Sequence, residues 1–250
     1  YGDFNNDTYA DEIAVLFNGA SSTGNLSVYD LNGVLGSFQY SDYKPLGISK
    51  GDFNGDSVED IVIVVIENSA SGNEIRFFTF NLLNNVLTQI WSYTSLVTTG
   101  NHIAADYNLV KTADFNQDGY IDVIASNSKD YLVAVNNSGS LLWTKQVIEE
   151  IGEDNANPQS NVIIGDFDND GIENDVGVGT FGATPDLIYF YDEGGNLIKN
   201  YTNVAFDNPY YLESADLDND GIINEVMVSN MNSPWFTGVF DKNGNIAVQG

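Results

Sequence analysis

The sequence predicts an all-β chain, a β-propeller of about five four-stranded blades. Three observations carry this. An acidic stretch recurs as GDFNNDTYADEI (2–13), GDFNGDSVEDIV (51–62), ADFNQDGYIDVI (113–124), GDFDNDGIENDV (165–176) and ADLDNDGIINEV (215–226). Its first Asp falls at 3, 52, 114, 166 and 216, so the intervals are 49, 62, 52 and 50 residues; such a period indicates one supersecondary unit per repeat. A turn signal runs in phase with it: YDLNG (29–33), NLLNN (81–85), VNNSG (135–139), YDEGG (191–195) and FDKNG (240–244). Asn, Asp and Gly tolerate the positive φ that tight hairpins require. Finally, short β-type runs surround both signals, and no segment sustains a 3.6-residue period.

The strands follow in order. After each acidic stretch comes a run of β-formers: EIAVLF, DIVIVVI, DVIAS, DVGVGTF and EVMVS. Before each hairpin turn comes another: LSVYD, IRFFTF, YLVAV, LIYFY and FTGVF. After the turn come VLGSFQY, VLTQIWSY, SLLWTKQV, LIKNYTNV and NIAVQ. A fourth run leads into the next acidic stretch, as in PLGISKGDF, YNLVKTADF, NVIIGDF and YLESADL. Four strands per repeat, arranged radially, make a propeller. The expectation is one domain over 1–250, with repeats at approximately 1–43, 44–98, 99–150, 151–204 and 205–250. The first repeat has only YGDF for its opening strand, so the ring closes on a stub or another segment or subunit completes that sheet. An open sheet edge is adhesive, and self-association through the chain ends is an expectation on that ground.

Composition narrows the partners. There are 36 acidic against 8 basic residues, for a net charge of −28. That balance argues against nucleic acid, which needs a basic patch, and against anionic membrane surfaces. Cations are the natural partners of such a surface. No Cys is present, which excludes disulfides and thiolate metal sites. No apolar run approaches the ~18–20 residues of a membrane-spanning helix, and the opening YGDF, with no signal-peptide pattern in the sequence, reads as a mature or trimmed start.

The acidic stretches supply oxygen ligands at positions 1, 3, 5 and 9 of a tight loop, with a backbone carbonyl at position 7. This suits a hard cation that takes six to eight oxygens, Ca²⁺. The first loop offers Asp3, Asn5, Asp7, the Tyr9 carbonyl and Asp11. The second offers Asp52, Asn54, Asp56, Val58 and Asp60, and the third Asp114, Asn116, Asp118, Tyr120 and Asp122. The fourth offers Asp166, Asp168, Asp170, Ile172 and Asn174, and the fifth Asp216, Asp218, Asp220, Ile222 and Asn224. Loops one, four and five carry an extra acid at position 10, namely Glu12, Asp175 and Glu225, which replaces or supplements position 9. Gly119, Gly171 and Gly221 hold position 6, where a sharp bend is needed, and Thr8 and Ser57 stand there in the first two loops. Repetition argues against ordinary acidic surface turns: clustered carboxylates repel unless a cation cancels the repulsion. Up to five Ca²⁺ are expected.

Position 12, where an EF-hand needs Glu, is Ala14, Ile63, Ala125, Gly177 and Met227, and the flanks read as strands. The motif D-x-[DN]-x-D-x-x-x-[DN] followed by a β run instead resembles the FG-GAP or VCBS repeat family, the calcium-binding propeller repeats of integrin α-subunit heads and many microbial surface proteins. The resemblance extends over all five repeats. It implies a propeller fold, with the five loops corresponding position by position to the family's metal loops.

The other face of such a propeller would carry the variable loops, with Tyr43, His102, Tyr107, Tyr210 and Trp235. It is the expected site for a protein or glycan ligand. His102 is the only His and has no Ser or Cys motif nearby, so no catalytic residue is assigned and the chain is not expected to be an enzyme. The resulting expectation is an extracellular or cell-surface calcium-binding module for adhesion or ligand binding. The alternative is a self-assembling subunit of an extracellular filament, sheath or tube. A polysaccharide-processing domain ranks behind both.

Overall fold

The computed structural model describes residues 1–18, 23–41, 43–67, 74–96, 109–126, 131–147, 157–158, 162–181, 187–202, 209–230 and 237–249. Among these residues there are strands, turns and no α-helix. The first sheet has the order β1 (Ile13–Asn18), β2 (Thr23–Asp30), β3 (Gly33–Ser41). The second runs β4 (Tyr43–Gly51), β5 (Asp60–Glu67), β6 (Glu74–Leu83), β7 (Val86–Leu96). The third comprises β8 (Val110–Ala113), β9 (Asp122–Ser126), β10 (Tyr131–Val135) and β11 (Leu141–Gln146), again in sequence order. In the fourth, β12 (Asn157–Pro158) and β13 (Ile163–Gly165) both pair with β14 (Asp175–Phe181), followed by β15 (Leu187–Tyr191) and β16 (Leu197–Thr202). The last is β17 (Pro209–Ala215), β18 (Glu225–Asn230), β19 (Thr237–Phe240), β20 (Ile246–Gln249). Each sequence-predicted run thus lies on a strand, and β12 is an addition the sequence did not suggest.

Two compact units form, residues 1–125 with 133–142 and residues 126–132 with 143–250. In the first, Phe4, Leu26, Val28, Tyr40, Ile61, Ile63, Val65, Phe80 and Leu82 make a common core. In the second, the core holds Ile163, Phe167, Ile188, Phe190, Tyr201, Leu212, Val226, Val228 and Phe240. β5 is buried on both faces, with Ile61 to Ile66 all nearly inaccessible, and its unbroken apolar run IVIVVI is what such burial demands. β1 stands at the same place in its sheet, yet Ile13 and Phe17 are 55% and 46% exposed. The exposure is confined to one face, since Ala14 and Leu16, which alternate with them, pack against the core; alongside β1 on the side where β5 has β4, the described residues give only the Gly2–Glu12 bridge.

Three hairpin turns share one construction. Asn136, Asp192 and Asp241 each accept backbone N–H groups two and four residues on. Gly139, Gly195 and Gly244 close them at φ of 81°, 78° and 79°. A Cβ on these glycines would meet the rings of Trp91, Trp143 and Tyr201 at 2.9, 2.9 and 2.7 Å, so glycine here also makes room for an aromatic ring from the preceding sheet. In the second sheet, β6 extends to Leu83 and the turn is Asn84–Asn85, both left-handed at φ of 53° and 62°.

Candidate metal centres

Each acidic stretch follows a strand of its own sheet, β4, β8, β13 or β17, or residue Gly2 in the first, and repeats one hydrogen-bond pattern. The position 1 carboxylate accepts the N–H of position 6: Thr8, Ser57, Gly119, Gly171 and Gly221 donate to Asp3, Asp52, Asp114, Asp166 and Asp216 at 2.8–3.0 Å. The side-chain oxygen of position 3 (Asn5, Asn54, Asn116, Asp168, Asp218) accepts the N–H of position 5 at 2.9–3.0 Å. Position 5 (Asp7, Asp56, Asp118, Asp170, Asp220) accepts in turn from the N–H of Tyr9, Val58, Tyr120, Ile172 and Ile222 at 2.8–3.0 Å. The carboxylates therefore gather because the backbone winds around them.

This winding needs two left-handed residues per loop. Position 6 is left-handed throughout, at φ of 76° for Thr8, 67° for Ser57 and 89–92° for the three glycines. Position 4 is left-handed as well, at Asn6, Gly55, Gln117, Asn169 and Asn219. The sequence reading missed that second bend, although Asn and Gly at four of the five positions are its signal.

A buried acid closes each loop by accepting the N–H of position 2. In loops two and three it is position 9: Asp60 takes the Phe53 N–H at 2.9 Å and Asp122 that of Phe115 at 3.1 Å. In the others it is position 10: Glu12, Asp175 and Glu225 take the N–H of Phe4, Phe167 and Leu217 at 2.9, 2.7 and 3.0 Å. Position 9 of those longer loops has other neighbours. Asp11 lies with Asp7 and Glu12. Asn174 is buried, and Asn224 reaches Asn169 of the adjacent loop at 3.1 Å. Position 2 anchors the loop, because Phe4, Phe53, Phe115 and Phe167 are buried; Leu217 in the fifth loop is 47% exposed.

The electrostatics of four of these closing acids are unfavourable without a counter-ion. Burial pushes the Asp60 carboxyl up to about 7, opposed by the Phe53 N–H, and Asp56 and Asp52 add repulsion. Burial takes Asp175 to about 7 and Asp122 to about 6. Glu12 is also raised, first by burial. Glu225 is only 3% exposed, and its Oε1 has no hydrogen-bond partner. Three groups bring acid oxygens within 4.8 Å of one another: Asp7, Asp11 and Glu12; Asp166, Asp168 and Asp175; Asp216, Asp218 and Glu225. A donor set made of carboxylates and amides, with an orphaned buried oxygen, fits a hard cation such as Ca²⁺.

Hairpin turns reach the acidic loops in two sheets. The Asn137 N–H donates to Asp122 Oδ1 at 2.9 Å. Lys242 Nζ lies 2.9 Å from Asp220 Oδ2 and holds that carboxyl below its usual range through this hydrogen bond. Of the aromatic residues expected on the other face, Tyr43 is described, with the Arg76 guanidinium 4.7 Å from its ring centre. His102, Tyr107, Trp235 and the Tyr210 side chain lie outside the described residues.

Comparison with known proteins agrees with this architecture. No curated protein matches the chain in sequence. Among solved structures, the Dos1 propeller is similar at a TM-score of 0.58 and 11% identity, over 90% of this chain and 52% of that one. The Vibrio cholerae biofilm matrix protein Bap1 is similar at 0.53 and 20% identity, over 99% and 37%. The exotype rhamnogalacturonan lyase YesX is similar at 0.53 and 15%, over 94% and 44%. The chain thus spans about half or less of the length of these structures, and the likeness is one of propeller-like fold. Residues 114–178, from the third acidic loop into the strand after the fourth, match the family described as FG-GAP-like repeat, and over that stretch the chain is similar to this family.

Proposed function

We propose that the chain is a five-bladed propeller that binds Ca²⁺ in its five acidic loops and serves outside the cell as a binding module. The repeats run at approximately 1–43, 44–98, 99–150, 151–204 and 205–250 as one domain. The observation that carries this is the same backbone winding in all five loops, each closed by a buried acid; in Glu12, Asp60, Asp122 and Asp175 burial disfavours the anion. A divalent ion would balance the gathered carboxylates of every loop, with positions 1, 3 and 5 and the closing acid as its side-chain ligands. Millimolar extracellular calcium suits open loops of this kind. The ligand proposed is a protein or glycan on the face opposite the metal loops.

A second reading is a self-assembling matrix or filament subunit. It is favoured by the edge of β1, where Gly2–Glu12 is the only bridge among the described residues, since an unpaired edge accepts strand addition. Similarity to a biofilm matrix protein supports the same class of role. Neither reading gives the chain a catalytic residue, and turnover of a polysaccharide by the purified protein would overturn both.

Chelation tests the calcium reading. An ion that binds only the native state adds ~2.7 kcal/mol per site at a hundredfold excess over Kd. At this size each kcal/mol moves the melting midpoint by about 2–4 °C. Removing calcium should therefore lower Tm by roughly 10 °C or more. An unchanged melt, with metal loss confirmed by elemental analysis, defeats the reading.

A further inference from the structure

The fifth acidic loop differs from the other four in having a cation in direct contact with its position 5 carboxylate; Lys199, near the fourth loop, acts on Asp175, Asp166 and Asp168 only through its charge. Lys242 Nζ lies 2.9 Å from Asp220 Oδ2, the carboxylate at position 5. Among the described residues no such ion pair joins a cation to the corresponding Asp7, Asp56, Asp118 or Asp170; Lys50 pairs with Glu59 and Arg76 with Glu74 instead. The residues at the place of Lys242 in the turns DLNG, NNSG and DEGG are Leu31, Asn137 and Glu193, so the cation belongs to this repeat alone.

The ammonium is held in place through its backbone. The Lys242 carbonyl accepts Tyr201 Oη at 3.0 Å and Lys199 Nζ at 3.2 Å, both from the preceding sheet. The Asp241–Gly244 and Asp241–Asn245 hydrogen bonds fix the turn itself. Meanwhile the loop is not satisfied by this one charge. Glu225 Oε1 is buried and unpartnered, and Glu225 offers an oxygen within 4.8 Å of those of Asp216 and Asp218. One ammonium thus sits at the outer carboxylate while the inner Glu225 Oε1 still lacks a partner.

We propose that Lys242 is a built-in competitor at the fifth loop, an ammonium that a divalent cation must displace from Asp220 before it can use the full ligand set. The fifth site then fills last, at higher calcium than the others. Displacement frees the Lys242 side chain, which is 40% exposed, to move into solvent. The inference rests on the calcium reading above, and its test separates the two.

Calcium titrations by calorimetry would compare the full chain with Lys242→Gln, Lys242→Arg and Asp216→Asn. A second readout is the NMR signal of Lys242 after ¹³C-dimethylation of lysines, which preserves charge, assigned by its loss in Lys242→Arg. Removing the ammonium should tighten the weakest site by roughly tenfold, the size of one ammonium–dication interaction at a partly exposed position. Lys242→Arg should keep the site weak, and Asp216→Asn should remove that weak site while the tighter ones remain. The Lys242 signal should move with the midpoint of the weakest site. No calcium binding at all defeats the calcium reading itself. Calcium binding with superimposable wild-type and Lys242→Gln titrations, or a Lys242 signal that ignores calcium, overturns the competition while leaving the calcium reading standing.

Discussion

Two kinds of acidic loop do the same job with different counts. Loops two and three reach their buried acid at position 9, through Asp60 and Asp122, and loops one, four and five at position 10, through Glu12, Asp175 and Glu225. In the sheet, the two kinds are equivalent. The closing acid always stands opposite the residue that precedes the first Asp: Gly51↔Asp60, Ala113↔Asp122, Gly165↔Asp175, Ala215↔Glu225 and the Gly2↔Glu12 bridge. Strand register therefore selects the acid, and the extra residue of the longer loops is absorbed between positions 7 and 10. A ligand motif counted along the sequence is only a proxy for a hydrogen bond to the position 2 amide.

The sharpest way to break this comparison is to remove the acid and its neighbour in turn. In calcium, Asp60→Ala should cost roughly 3–5 kcal/mol, from the buried Phe53 amide it orphans and the ion it loses. Asp175→Ala should cost as much. Asn174→Ala, at position 9 of the same longer loop, should cost only about 1 kcal/mol. Urea denaturation at saturating calcium measures all three, and an Asn174 variant as damaged as the Asp175 variant would abolish the distinction.

Acidity should act on both loop kinds, with a sign that depends on metal. Asp60 and Asp175 at about 7 and Asp122 at about 6 hold protons in the fold that the unfolded chain, near the ordinary 3.8, releases. Without metal, their contribution to stability is present at low pH and is lost as pH rises from about 4 to about 7. With calcium the carboxylates are held ionised and protons compete for them, so stability should rise over the same window. Thermal melts of dialysed and calcium-loaded protein at several pH values check the reversal; slopes of the same sign in both would contradict it.

The smallest effect concerns the bend. Ser57 holds φ at 67° where the third loop has Gly119 at 89°. A Cβ on Gly119 would meet nothing within 4 Å, so Gly119→Ala isolates backbone strain. It should destabilise by about 1 kcal/mol, and Ser57→Gly should stabilise by a similar amount. Equilibrium unfolding of both variants gives the comparison, and a Ser57→Gly change that destabilises would show that the hydroxyl matters more than the torsion.

Much of this was written in residue order. The runs EIAVLF, DIVIVVI and DVGVGTF became β1, β5 and β14 because β-branched residues bounded by Gly, Asn and Asp leave little else to form. Positions 1, 3 and 5 of the loops came together because Asp and Asn wind the backbone locally around themselves. What lay beyond reach depends on pairing across the sheet. The choice between Asn174 and Asp175 turns on a register with Gly165 that no local pattern reveals. The left-handed conformation of Gln117 has no compositional signal, since Gln is not a turn residue. The salt bridge from Lys242 to Asp220 spans 22 residues and depends on how far the hairpin folds back.

The rings seated on turn glycines bear on how cooperatively the chain melts. Trp91 on Gly139, Trp143 on Gly195 and Tyr201 on Gly244 each join one repeat to the next, and Trp143 adds a 2.7 Å hydrogen bond from its indole to the Glu193 carbonyl. Links of this kind are nearest-neighbour couplings, so the stability of the array becomes a sum of repeat terms and junction terms, as in a one-dimensional chain of spins. A side chain forced onto Gly195 would weaken a junction while leaving both flanking sheets their own ladders. Its signature would be a broader transition with a smaller m-value, as one cooperative melt separates into two.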